Sequence, residues 1–208
     1  MAPLQQQSRN GHFEISTQRL RLRQWRIEDR PAFAELTADP EVMAFFPAPL
    51  SVAESDALVT RMHDLIAANG FGFWAVENNA SGECIGFVGL NTVTNFPFGD
   101  GVEIGWRLAR KAWGQGYATE AALAARNFAF TELALDELIA FAVVANTPSL
   151  AVMRRIGLTD TGRNFTHPRV DPDSALSEHV LYALPQSGFE EIAKTQPHSG
   201  KVTWIATD

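Results

Sequence analysis

The sequence lacks the features of a secreted or membrane-spanning protein. Its 208 residues include a single cysteine, Cys84, which excludes an intramolecular disulfide. No apolar run approaches the roughly 18 residues that a membrane-spanning helix needs. The opening residues, MAPLQQQSRNGHFEIS, have neither the basic nor the apolar region of a secretory signal peptide. These absences predict a cytoplasmic protein without a membrane partner.

The chain also lacks an excess of positive charge. Its 17 lysines and arginines are outnumbered by 24 aspartates and glutamates, and the formal net charge is −7. Nucleic-acid-binding domains carry basic surfaces, so we expect no nucleic-acid partner, whereas an acidic surface attracts amines and basic peptides. The histidines lack the spacing of metal ligands, which predicts no metal site; they are His12, His63, His167, His179 and His198.

The composition, 46% hydrophobic and 20% charged, is that of an ordinary globular protein, and the length suits one domain. Residues 1–11 are polar and aperiodic, which predicts a flexible leader. Residues 12–185 carry the periodic segments and are assigned to a single domain. Residues 186–208 are mostly polar and are assigned to a C-terminal tail, either a partner arm or a disordered segment.

Local signals predict alternating strands and helices. Ser51 followed by Glu54 matches a capping box, and Asn69-Gly70 is a helix stop, so a helix is expected between them. The apolar runs 71–76 and 84–90 flank a polar turn and predict an antiparallel hairpin. Further strands are expected at 20–25, 102–108, 138–144, 158–163 and 178–184, and further helices at 31–38, 117–133 and 148–156.

The rest of the chain is organised around residues 102–133. An alternating strand, a loop with Gly114 and Gly116, and an alanine-rich helix follow one another. A helix that begins after such a loop leaves backbone N–H groups unpaired at the positive end of its dipole, which favours an anion. With the strand at 138–144, this segment forms a strand–helix–strand unit and therefore a parallel strand pair.

Two common phosphate motifs do not match this loop. A P-loop needs Gly-Lys-Ser/Thr, but Gly116 is followed by Tyr117. A dinucleotide fingerprint needs a third glycine and an acidic residue after the next strand, and neither is present at the required place. A dinucleotide oxidoreductase therefore stays a distant alternative, separable by whether NAD or coenzyme A raises the melting temperature.

The string KAWGQGYA at 111–118 resembles the coenzyme A loop of the GNAT acetyltransferase superfamily. The wider string WGQGYATEA is similar to the branch of Rim-type ribosomal-protein N-terminal acetyltransferases. The segment ANTPSLAVMRRIGL, with Asn146 and Ser149, resembles the next cofactor-facing segment of that family. The resemblance covers about residues 15–184, and it departs from the family pattern at Lys111, where arginine or glutamine is usual.

The resemblance implies an α/β fold, called α+β by some schemes. The expected sheet is mixed and mostly antiparallel, and its central parallel pair splays to form the acetyl-CoA cleft, with two N-terminal helices on one side. The residues it implies for binding acetyl-CoA are Trp106, Leu108, Lys111, Gly114, Gln115, Gly116, Tyr117, Ala118, Thr119, Asn146 and Ser149. For Trp106 and Leu108 the implied donors are backbone N–H groups.

Two residues are candidates for the chemistry. Burial of Glu103 beside apolar neighbours raises a carboxyl pKa and suits a general base, but a buried carboxylate that only orients a neighbour fits the same pattern. Ser149 resembles the family's proton donor to the coenzyme A thiolate, and Asn146 its pantetheine contact. Ordinary helix capping at Pro148 is the alternative explanation for both, but the nearby phosphate loop favours the ligand contacts.

The resemblance implies acetyl-CoA-dependent N-acetyl transfer by direct attack of a primary amine in a ternary complex. The acceptor is a peptide or protein N-terminus or a small-molecule amine, and Phe45 to Pro49 either line its groove or belong to the core. A non-catalytic acetyl-CoA-binding sensor or interaction module is the main alternative. Edge strands in such folds often pair, which leaves a homodimer open.

Overall fold

The computed structural model describes residues 11–195 and 200–206. Its strands are β1 (Gly11–Ser16), β2 (Leu20–Arg23), β3 (Phe73–Asn78), β4 (Cys84–Phe96), β5 (Gly99–Leu108), β6 (Glu137–Val143), β7 (Thr159–Thr166), β8 (Glu178–Pro185) and β9 (Lys201–Ala206). Its α-helices are α1 (Arg30–Ala38), α2 (Val52–Asn69), α3 (Tyr117–Thr131), α4 (Thr147–Arg155) and α5 (Gln186–Ala193). Among these residues, no helix is both long and apolar enough to span a bilayer.

All the described strands lie in one sheet, in the order β7-β8-β6-β5-β4-β3-β2-β1-β9. Only β5 and β6 pair in parallel among them; the other neighbours are antiparallel. This confirms the predicted mixed, mostly antiparallel sheet with a parallel pair. The predicted start and end of α2 are also confirmed. Ser51 and Glu54 form the capping box, and Gly70 ends the helix with a φ of 80°.

The parallel pair separates almost as soon as it forms. Its register contains one residue pair, Glu103 with Ile139. On the other side of β5, the ladder with β4 continues from Gly86–Leu108 to Phe96–Gly99. Strand β5 is therefore held on one edge, while its other edge opens towards the carboxyl end, where α3 and α4 begin.

Helices cover both faces of the sheet. On one face, Phe128 of α3 packs edge-on against Trp74 of β3 at 5.3 Å and against Phe13 of β1 at 5.0 Å. On the other face, Phe33 of α1 lies 6.2 Å from Phe87 of β4. The small residues of α3 that are almost fully buried allow it to lie close to the sheet; they are Ala121, Ala122, Ala124, Ala125 and Ala129.

Residues assigned to the leader and the tail form part of this fold. Gly11 belongs to β1, and residues 1–10 lie outside the described residues, as do 196–199 and 207–208. Helix α5 places Phe189 in a stacked contact with Phe130 of α3, with ring centroids 4.5 Å apart. Strand β9 pairs with β1 along its whole length. Val202, Trp204 and Ala206 alternate with other residues along β9, which is a strand pattern. The pattern is weak because it covers only six residues.

We expect Phe189→Ala to lower the free energy of unfolding by about 3–5 kcal/mol, because the ring is buried and leaves a cavity between α5 and α3. Urea unfolding measures the change. Lys194→Ala, an exposed change on the same segment, is the control and should stay within about 0.5 kcal/mol of the wild type. Equal, small effects of the two substitutions would mean that 186–195 is only loosely attached.

Candidate active site at the parting of two strands

A cavity of about 940 Å³ opens where β5 parts from β6. The starts of α3 and α4 form one wall, and the connection between α1 and α2 forms another. Phe45 and Phe46 of that connection line the cavity, so they belong to a groove and not to the core alone. The lining includes nine of the residues predicted for acetyl-CoA: Trp106, Leu108, Gly114, Gly116, Tyr117, Ala118, Thr119, Asn146 and Ser149.

The loop before α3 has the conformation of an anion site. Gly114 and Gly116 have φ values of 74° and 77°, a region that favours glycine. The first intrahelical bond runs from the Glu120 N–H to the Gly116 carbonyl, so the N–H groups of residues 117–119 precede it. A Cβ built on Gly114 would meet no atom within 4 Å. Open space beside these donors, at the positive end of α3, suits a diphosphate.

Two predicted residues of this loop do not line the cavity. The Lys111 ammonium lies 3.0 Å from the Glu83 carboxylate, in the hairpin between β3 and β4. The Gln115 side chain donates to the Lys111 carbonyl at 2.9 Å. The short 3₁₀ turn at Arg110–Ala112 aims Lys111 at the hairpin. A role for either side chain in binding acetyl-CoA stays a prediction.

The backbone of β5 presents donors to the cleft. The Ala109 N–H donates to the Ile85 carbonyl of β4 at 2.9 Å. Since the hydrogen-bonding direction alternates along a strand in an antiparallel ladder, the backbone groups of Trp106 and Leu108 face the opposite edge, where β6 has separated. The Leu108 carbonyl accepts the Trp113 indole N–H at 2.9 Å, as this orientation requires.

The contact that holds the phosphate loop in place is not indicated by any local sequence pattern. The Arg19 side chain donates to Glu120 at 2.6 Å and to the Gln115 carbonyl at 2.9 Å, and its guanidinium lies 4.6 Å from the Tyr117 ring centroid. Burial acts to raise the pKa of Glu120, but hydrogen bonds from Thr17 and Arg19 outweigh it and hold that pKa below its ordinary value. Arg19 and Glu120 are 101 residues apart, so no local pattern links them.

The start of α4 brings Asn146 and Ser149 to the same cavity. The Asn146 side-chain oxygen accepts the Ser149 N–H at 3.2 Å, and Pro148 occupies the first turn. The expected helix capping is therefore present. Capping uses the Asn146 oxygen and the Ser149 backbone N–H, and Ser149 also lines the cavity, so the cap and a side-chain contact to a ligand can coexist.

Glu103 lies on β5 but does not line the cavity among the described residues. Alternation along the strand puts its side chain on the opposite face from Trp106 and Leu108. The Asn91 amide donates to its carboxylate at 2.8 Å. Burial raises the pKa of Glu103 to about 6, against the opposing effects of the Asn91 hydrogen bond and the charge of Arg169. A carboxyl group with this pKa is mostly ionised at neutral pH and can accept a proton.

Comparison with known protein families identifies the family to which this chain belongs. A family model described as an acetyltransferase (GNAT) domain matches residues 19–159, well over half of the chain. The chain therefore belongs to the GNAT acetyltransferases, whose activity is acetyl transfer from acetyl-CoA. The predicted Rim-type branch is a finer assignment that the family model does not make.

Curated relatives cover most of the chain. A protein of Aspergillus fumigatus named FsC-acetyl coenzyme A-N(2)-transacetylase is 31% identical over 199 residues, covering 92% of this chain and 83% of that protein. The uncharacterised protein YkkB of Bacillus subtilis is 29% identical over 164 residues, covering 76% of this chain and 94% of that protein.

Solved structures share the fold. A GNAT acetyltransferase from Bacillus anthracis is 25% identical, with a TM-score of 0.71 over 84% of this chain and 99% of that one. A ribosomal L7/L12 α-N-protein acetyltransferase, solved in complex with coenzyme A, is 19% identical, with a TM-score of 0.67 over 83% of this chain and 97% of that one. At this identity the second likeness shows the fold alone.

We expect Gly114→Val to weaken acetyl-CoA binding by at least about tenfold, because its side chain fills the open space beside the N–H groups of α3. Isothermal titration calorimetry measures the affinity. Gly82→Val is a matched control, since Gly82 has a φ of 71°, equally open space and a place in the β3–β4 hairpin. Both variants should lose roughly 1–2 kcal/mol of stability from the positive φ. Equal affinities in the two variants would place the diphosphate elsewhere.

Proposed function

We propose that the protein is an N-acetyltransferase that moves the acetyl group of acetyl-CoA to a primary amine by direct attack in a ternary complex. The observation that carries the proposal is the cleft itself. Backbone donors of β5 and unpaired N–H groups at the start of α3 converge on one cavity, where the sheet has no competing strand to bind them. Such preorganised donors stabilise negative charge.

The residues present fit acetyl-CoA. Gly114 and Gly116 add no side chain at their two positions of the loop, and residues 117–119 offer N–H groups for the diphosphate. The β5 backbone at Trp106 and Leu108 suits the amide groups of the pantetheine arm. Bound there, acetyl-CoA supplies a thioester whose acetyl group can pass to a nitrogen nucleophile.

The chain's own residues supply the proton transfers. Glu103, with its raised pKa, accepts a proton from the ammonium form of the acceptor, directly or through water, so that the nitrogen lone pair becomes available. As the new C–N bond forms and the C–S bond breaks, the Ser149 hydroxyl donates a proton to the departing sulfur and regains the proton that the nitrogen loses on becoming an amide, directly or through water. The β5 backbone donors hold the carbonyl oxygen while its negative charge develops.

The nature of the acceptor is supported by charge and by one relative's name. A net charge of −7 attracts cations, so it favours an acceptor with a positively charged amine over an acceptor with an anionic surface. The N(2)-transacetylase name of the Aspergillus relative supports nitrogen as the atom that accepts the acetyl group. The Rim-type resemblance would add protein N-termini to the acceptors. A cytoplasmic location and a homodimer stay predictions.

Calorimetry with acetyl-CoA, followed by thiol-release assays across amines and N-terminal peptides, tests the proposal. We expect micromolar binding, within the usual range for enzyme substrates, and transfer to at least one amine. Absent binding contradicts the proposal. Binding without transfer to any acceptor would favour the non-catalytic acetyl-CoA-binding module.

We expect kcat/KM to rise with pH through about 6, the pKa of Glu103, because only the carboxylate accepts a proton. Glu103→Gln should lower kcat by about 10²–10⁴-fold and remove this limb of the profile. Asn91→Ala is the control, since it removes only the hydrogen bond that opposes the raised pKa, and the limb should move to higher pH. An unchanged profile in Glu103→Gln would make the carboxylate structural.

The same pKa predicts the pH dependence of stability. Because burial raises the pKa of Glu103 from 4.5 to about 6, the folded protein holds this proton more tightly than the unfolded chain. The resulting stabilisation is fully present below about pH 4.5 and is lost as the pH rises through about 6. Glu103→Gln should remove this component from melting curves recorded across that range.

A further inference from the structure

Arg107 lies in the cavity wall with its guanidinium held between aromatic rings. Its Cζ atom is 3.8 Å from the Phe46 ring centroid and 5.6 Å from that of Phe87. Phe87 is also its register partner on β4. Alternation along β5 puts the side chain on the same face as Glu103 and opposite Trp106. The rings fix the plane of the guanidinium and shield it from water.

The guanidinium has unused hydrogen-bond donors. Its Nε and Nη1 atoms are buried and have no partner among residues 11–195 and 200–206. Other buried arginines of this chain are paired: Arg23 makes two bonds to Asp29 and one to Glu77, and Arg126 bonds the Ile156 carbonyl. A buried charge without a partner is strongly destabilising, so this arrangement needs a compensating group.

The neighbouring carboxylates do not supply that group. Glu41 also lines the cavity, but its carboxylate accepts from Arg110 at 2.7 Å, and Asp39 lies 3.2 Å from the same guanidinium. Glu103 is engaged by Asn91. Burial lowers the pKa of Arg107 to about 10, which still leaves it charged at neutral pH. Residues 11–195 and 200–206 thus supply no anion for Arg107, which points to a ligand as its source.

We propose that Arg107 binds a carboxylate of the acceptor, so that the acceptor is an amine that also carries a carboxylate, such as an amino acid or a short peptide. Arginine donors match a carboxylate in a fork geometry. Between Arg107 and Glu103 on the same face lies Gly105, where the Phe73 ring fills the space above the strand, 3.1 Å from the position a Cβ would take. The Cα atoms of Glu103 and Arg107 are roughly 13 Å apart along the strand, so we infer that a proton passes from an acceptor held at Arg107 to Glu103 through water and not by direct contact.

The inference rests on the proposed function, and it has a readout that does not need turnover. Amino acids and dipeptides are titrated into the protein–coenzyme A complex, each beside its C-terminal carboxamide, and the same pairs are then assayed with acetyl-CoA. We expect wild type to prefer the carboxylates. Arg107→Met should weaken carboxylate binding and raise KM by about 10- to 100-fold and leave the carboxamides unchanged.

Two controls separate recognition from folding. Arg61→Met removes one exposed positive charge from α2, away from the cavity, and should keep the preference. The melting temperature of Arg107→Met should equal or exceed that of the wild type, because the substitution removes an unpaired buried charge and keeps the stacked stem.

The outcomes are distinct. Equal effects of Arg107→Met on carboxylates and carboxamides overturn the inference. An Arg107-dependent advantage of succinyl-CoA over acetyl-CoA, without acceptor preference, also overturns it, because the carboxylate would then belong to the acyl group. Arg107-dependent binding of carboxylates without acetyl transfer supports the subsite and contradicts the proposed function instead.

Discussion

The separation of β5 from β6 is the constraint on which the rest of the structure depends. After the Glu103–Ile139 pair the two strands share no register, so backbone groups that a continuous sheet would satisfy are left for a ligand. Such unpaired groups are costly unless something else holds the strand in place. The ladder with β4 and the close packing of the alanine face of α3 do so. The cleft is therefore a gap between two strands that are each paired along their other edge, β5 with β4 and β6 with β8.

The electrostatics of the phosphate loop follow from the same geometry. A carboxylate in the first turn of α3 interacts favourably with the helix dipole, but Glu120 also faces the site where a diphosphate would sit. Its pairing with Arg19 neutralises that charge and adds a bond to the Gln115 carbonyl. The loop is thus tied to the connection between β1 and β2, and an anion at α3 meets a neutral pair instead of a bare carboxylate.

The features that can be predicted from the sequence are those determined by residues close together in the chain. The α2 capping box, the glycines before α3 and the Asn146 cap each lie within a few residues of the backbone they serve, and the strand–helix–strand order implies a parallel pair. Contacts between distant segments carry no such signal. The pairing of Arg19 with Glu120 and of β9 with β1 depends on the tertiary arrangement. The direction of Lys111 depends on a short 3₁₀ turn that its sequence does not mark.

One strand can serve two substrates because its side chains alternate. The edge of β5 that β6 leaves free offers backbone donors at Trp106 and Leu108, and these suit an extended thioester arm that runs along the strand. The face with Glu103 and Arg107 carries a carboxyl group of raised pKa and a guanidinium whose Nε and Nη1 have no partner among the described residues, and both suit the proposed acceptor with an amine and a carboxylate. Arg23 shows what a structural buried arginine looks like in this chain, with every bond made to a carboxylate or carbonyl. From the buried donors of Arg107 that lack partners in the described part of the chain, we infer that the acceptor approaches from this side of the strand.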